Sequence, residues 1–121
     1  MSDRTVVVVV STDVGIRAHV RLTLGDDRFA VHDAPDTAAA AHRIAEQRPS
    51  IVILDLDLPE DGAAALARSV RSQPETQDVR TLLLVPRRDA ALGDPAGTDA
   101  QLLVPSTSFA LLSKVDRLLP A

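Results

Sequence analysis

The chain has 121 residues, a length that fits one domain spanning 1–121 with a core of its own. It has no cysteine, which removes disulfides, thiolate chemistry and cysteine metal sites. A net charge of −4 and only two aromatic residues, Phe29 and Phe109, argue against a nucleic-acid surface, which needs a basic face and stacking platforms.

The first apolar run, Val6–Val10, is too short for a signal peptide, and no run approaches the ~20 residues of a membrane span. The expectation is a cytoplasmic protein without membrane contact. Four further runs follow: Phe29–Val31, Ile51–Leu54, Leu82–Val85 and Leu102–Val104. They are rich in Val, Ile and Leu and do not alternate with polar residues, as strands buried on both faces of a parallel sheet do not. Helical spacing fills the gaps. Val14 to Leu24 places Ile16, Val20 and Leu24 on one side, with Ser11 and Thr12 as candidate caps. Gly25, Asp26 and Asp27 read as a turn. Thr37 to Gln47 is alanine-rich and opens after Asp36, a suitable N-cap. Ala63, Leu66, Ala67 and Val70 form a helical stripe. The last helix carries Leu111, Leu112, Val115, Leu118 and Leu119, between cap candidates Ser106 to Ser108 and a stop at Pro120. Strand and helix alternate, which predicts βαβ units around a central parallel sheet. Pro86 to Gln101 breaks the rhythm and reads as loop with about one helical turn near Arg88–Leu92.

Ligands of open parallel sheets bind beyond the carboxyl ends of the strands. There the sequence puts Ser11, Thr12 and Asp13 after the first strand, Asp55 and Asp57 in Ile51–Pro59 (IVILDLDLP), Pro86 after the fourth strand and Pro105 after the fifth. Grouped carboxylates and carbonyls suit a hard cation such as Mg²⁺. A carboxylate beside Mg²⁺ can accept a phosphoryl group. An acid at a strand end has a second reading, as the cap of the next turn. Asp57 and Asp61 read as solvated loop acids. His19, His32 and His42 share no metal-ligand spacing and read as surface or interface residues, and Arg87–Arg88 is a local basic pair.

In order of motifs, the chain resembles the receiver domains of two-component response regulators. FAVHDAPDTAAAAHRIAEQRPSIVILD, from Phe29 to Asp55, follows that family without a gap. RSVRSQPETQDVRTLLL, from Arg68 to Leu84, follows its third helix and fourth strand. Gly97, Asp99 and Leu102–Pro105 follow the lead-in to its fifth strand. The resemblance implies a doubly wound, flavodoxin-like α/β sandwich with five parallel strands in the order 2-1-3-4-5. The fourth helix is expected short or missing.

The resemblance makes Asp55 the phosphoacceptor and Asp13, Asp55 and the backbone carbonyl of Asp57 the candidate metal ligands. It also shows what has changed. Ser11 and Thr12 stand where the family has its acid pair, Pro86 where it has a hydroxyl, Val104 where it has a lysine, and Gln101 where it has an aromatic switch residue. The only lysine, Lys114, lies in the last helix. Fewer charged oxygens weaken Mg²⁺ binding, and a transferred phosphoryl loses the groups that stabilise its charge.

Three functions follow. One is a phosphorelay receiver taking phosphate from a histidine kinase or phosphotransfer protein. Another is a pseudo-receiver working by protein contacts or self-association, through Arg17, His19 and Arg21 or through Gln101, Lys114, Asp116 and Arg117. The third is an enzyme, since D-x-D is similar to the motif of haloacid-dehalogenase-type phosphatases and metal-binding glycosyltransferases. That phosphatase motif opens the first strand, however, whereas here D-x-D closes the third. Only Gly15 stands where a nucleotide-binding turn would need several glycines. The expectation is a non-enzymatic signalling domain. Ending at Ala121, the sequence fits a stand-alone receiver or a piece of a longer regulator.

Overall fold

In the computed structural model, residues 4–25 and 27–120 are described. Asp26, expected in a turn, and the terminal Ala121 lie outside them. The elements in chain order are β1 (Thr5–Val10), α1 (Val14–Leu24), β2 (Phe29–Ala34), α2 (Thr37–Gln47), β3 (Ile51–Asp55), α3 (Gly62–Ser72), β4 (Arg80–Pro86), β5 (Ala100–Val104) and α4 (Ser108–Leu118). Two 3-10 segments, Pro59–Asp61 and Arg87–Leu92, supplement them. All strand pairs are parallel and the sheet order is β2-β1-β3-β4-β5. This is the flavodoxin-like topology expected above. The segment Arg87–Leu92 stands where a full fourth helix would be.

Strand residues alternate between two cores because successive side chains point to opposite faces. Val8, Val10, Val52, Leu54, Leu83 and Val85 pack with Ala40 and Ile44 of α2 and Leu66, Ala67 and Val70 of α3. Val7, Val9, Ile51, Ile53, Leu82 and Leu84 pack with Val20 and Leu24 of α1 and Leu111 and Val115 of α4. The central strand β3 is buried at every position, which is why its sequence is an unbroken apolar run. Full burial of one such side chain is worth about 1.5–3 kcal/mol.

The helix ends follow local chemistry. Asp36 accepts a hydrogen bond from the Ala39 amide, and Thr107 one from the Ala110 amide. Gly25 closes α1 with φ +69°, a conformation that suits glycine. Gly62 opens α3 against α2, where a Cβ would lie 2.7 Å from the Thr37 methyl. No described helix is long and apolar enough to cross a membrane.

The apolar runs understate the strands at the edges. β2 continues through His32, Asp33 and Ala34, because Asp33 is paired with Arg17 and Arg21. β4 starts early, at Arg80, because Asp99 accepts hydrogen bonds from both the amide and the hydroxyl of Thr81.

Candidate functional site at the carboxyl ends of β1, β3 and β4

Asp55 is the last residue of β3 and only 2 % exposed. Both of its oxygens are engaged. The Ser11 hydroxyl donates to Oδ2 at 2.6 Å, and the Asp57 amide donates to Oδ1 at 2.9 Å. Ser11 is itself fully buried, and its Oγ accepts from the Asp13 amide at 3.0 Å. A hydroxyl both donates and accepts, so Ser11 joins the two strand ends where a second carboxylate would repel the first. Thr12 is exposed.

The cap of α1 corrects the sequence expectation. Neither Ser11 nor Thr12 caps it. Asp13 does, with Oδ1 accepting from the Gly15 amide at 2.7 Å and the Ile16 amide at 3.3 Å. An ionised cap at a helix N-terminus meets free amides and the positive end of the dipole. The carboxylate that might have restored a metal ligand is therefore turned to the helix.

Asp57 is an exposed loop acid, as expected, and it is also paired. Nη2 of Arg88 lies 2.7 Å from each of its carboxylate oxygens. Arg88 comes from the 3-10 segment after β4, so the pair bridges two strand ends across the site. The guanidinium is held even more firmly protonated than usual, first by its hydrogen bond to Asp57, then by the charges of Asp57, Asp89 and Asp55. Next to it, Arg87 donates to the Pro105 carbonyl at 3.2 Å.

The remaining site positions line up along the sheet. Pro86 is buried and in register with Val104. Neither residue carries a side-chain donor. Gln101, half-buried in β5, pairs with Leu83. Between β3 and α3, Glu60 and Asp61 take left-handed conformations with φ +58° and +54°. For residues with a Cβ this costs on the order of 1–2 kcal/mol each.

Other expected contact residues fall differently. Arg17 is anchored, through Nη1 to the Ser11 carbonyl at 2.7 Å and through Nε to Asp33 at 3.2 Å. Asp116 pairs with Arg28 at 2.7 Å. His19 is half-buried: its Nε2 is shielded from solvent without a partner, as is the Ser106 Oγ. Both residues border a cavity of about 240 Å³ with Ile16, Val20, Leu84, Val104 and Leu111. Sequence reasoning missed this because an i, i+3 pairing of Ile16 with His19 looks like the edge of an apolar stripe.

The fit to Mg²⁺ can be tested on these residues. Among the described residues, no three His, Cys, Asp or Glu side chains form a group that could hold a metal. Asp55 already accepts two hydrogen bonds and Asp13 caps a helix, which leaves Asp55 as the one candidate carboxylate beside the Asp57 carbonyl. Mg²⁺ demands a near-octahedral set of oxygens. One buried carboxylate and one backbone carbonyl make a poor set for it.

The chain is 30 % identical over 115 residues to the transcriptional regulatory protein CseB of Streptomyces coelicolor, covering 95 % of this chain and 49 % of that protein. It is 29 % identical over 114 residues to the two-component response regulator PhoP of Pseudomonas aeruginosa, covering 92 % and 50 %. The structure of the chemotaxis response regulator CheY4 of Vibrio cholerae superposes with a TM-score of 0.84 at 24 % identity, over 96 % of this chain and 99 % of that one. The chain belongs to the response-regulator receiver domains. It spans about half the length of the curated relatives it matches. No protein-family model matches it. Receiver domains are signalling modules of two-component systems and in general bind Mg²⁺ at the phosphorylation site. The fold is shared with those receiver structures.

Proposed function

We propose that this receiver domain acts in two-component signalling as a phosphorylation-independent protein-interaction module, a pseudo-receiver, with no catalytic turnover of its own. The observation that carries the reading is the state of Asp55: buried, with Oδ2 on the Ser11 hydroxyl and Oδ1 on the Asp57 amide. A nucleophile must present a free lone pair in line with the phosphorus. Each oxygen keeps a second lone pair, but burial and the two hydrogen bonds that tie β1 to the β3 loop hold the carboxylate in place and away from solvent. Pro86 and Val104 supply no donor for a transferred phosphoryl, whose charge must be stabilised for the transfer to proceed. A two-state switch also needs an interaction that differs between its states, and those residues would have supplied it.

The partner we propose is another protein of the same signalling class as the relatives, met without phosphate transfer. The test is amide NMR of the wild type and Asp55→Asn in Mg²⁺, with and without beryllofluoride as the phosphoryl mimic. The expected result is no saturable shift at Asp13, Asp55 or Asp57 in either protein. Large saturable shifts in the wild type that vanish in Asp55→Asn would sink this reading and restore a working phosphoacceptor.

A further inference from the structure

The misfit to Mg²⁺ raises a physical question. Asp55 and Asp57 lie two residues apart at one strand end, and the Asp57 amide is bonded to Asp55. Like charges at one strand end disfavour each other, and a neighbouring cation offsets this. In this chain the neighbouring cation is Arg88. Its Nη2 sits 2.7 Å from both oxygens of Asp57, and it comes from the segment that replaces the fourth helix. No other ion pair recorded among the described residues joins the β3 loop to the β4–β5 connection.

We propose that Arg88 is a built-in counter-ion. Its guanidinium takes the electrostatic place of a divalent cation at this strand end, on the Asp57 carboxylate, and holds the turn after β4 against the β3 loop with no phosphoryl group present. This inference rests on the pseudo-receiver reading and deepens it. Arginine is well suited to the role: it stays charged at all working pH, is more weakly hydrated than an ammonium, and its planar fork matches a carboxylate. The turn it holds also carries Leu92, which is 59 % exposed, so the pair sets how the connection presents its surface. A contact that would otherwise need a ligand thereby forms without one.

The experiment is a gain-of-function test on the whole chain. Mn²⁺, a paramagnetic probe with oxygen-ligand preferences like those of Mg²⁺, is titrated into the wild type, Arg88→Ala and Arg88→Lys while amide signals are followed. Hydrogen exchange over residues 86–93 is measured in parallel. Arg88→Ala is expected to gain millimolar Mn²⁺ broadening centred on Asp55 and Asp57. Its exchange over the turn should rise roughly twofold to fivefold, the range an exposed pair can supply. Arg88→Lys, which keeps the charge, should gain no broadening. If Arg88→Ala matches the wild type in either measurement, the pair is an incidental surface contact and the proposal fails. If Arg88→Lys broadens as the alanine variant does, charge is not the operative property and it fails too. Failure of the pseudo-receiver reading looks different: beryllofluoride shifts in the wild type, whatever Arg88 does.

Discussion

The two halves of the strand-end site are closed in opposite ways. On the β1–β3 side, Ser11 and Asp55 meet at 2.6 Å inside the protein, 0 % and 2 % exposed. On the β3–β4 side, Asp57 and Arg88 meet at 2.7 Å in water, with side chains 47 % and 67 % exposed. The distances are nearly equal and the energetics are not. Breaking a buried hydrogen bond strands a desolvated group, whereas breaking an exposed ion pair returns both groups to solvent. The first half is therefore architecture and the second is adjustable, so a phosphate signal would have to unmake the costlier one.

The largest expected effect tests the buried half directly. Asp55→Ala removes the acceptor of both the Ser11 hydroxyl and the Asp57 amide, and should destabilise the domain by about 2–4 kcal/mol. Asp55→Asn should cost at most about 1 kcal/mol, since its amide can serve Ser11 and its carbonyl can serve Asp57. Urea denaturation of the two variants checks the gap. A conventional exposed phosphoacceptor would show no such gap, and the two variants would unfold alike.

Next comes Ser11→Ala, which leaves Asp55 Oδ2 buried without its donor. The expected loss is about 1–3 kcal/mol, or roughly 4–12 °C in melting temperature for a domain of this size. An unchanged melting temperature would show that Oδ2 finds another donor. Asp13→Ala should come third, at about 1 kcal/mol, the usual worth of an N-cap, with Asp13→Asn within a few tenths of the wild type. Equal losses in the alanine and asparagine variants would mean that charge at Asp13, not the cap, matters.

These expectations also mark what could be read from sequence. β3 was legible because a strand buried on both faces must be an apolar run, and Asp55 because an acid ending that run is conspicuous. The sheet order was available only through the resemblance; no periodicity encodes which strands are neighbours. The polar ends of β2 and β4 were not legible, since they are strands by virtue of Asp33 and Asp99 pairing with distant residues. At the site, Ser11 and Thr12 read as caps because hydroxyls near a helix start usually are; the register of β1 on β3 instead turns Ser11 to Asp55, 44 residues away. The Asp57–Arg88 pair spans 31 residues through a connection without a repeat pattern, and nothing local announces it.

The smallest effect sharpens the comparison most. The Asp57–Arg88 pair is exposed, so its contribution must decay as salt screens it, with a Debye length near 10 Å at about 0.1 M and 3 Å at about 1 M. Arg88→Ala and Asp57→Asn should each lower the melting temperature by less than Ser11→Ala does. Their difference from the wild type should shrink as salt is raised from millimolar to molar, while the Ser11→Ala deficit stays constant, because water and ions never reach that bond. The exchanged pair Asp57→Arg with Arg88→Asp should recover part of the low-salt loss of either single change, since the attraction survives the swap. A salt-independent Arg88→Ala deficit would mean the arginine works by packing its stem against the site. In that case the two halves of the site are closed by the same physics after all, and the exposed half is as fixed as the buried one.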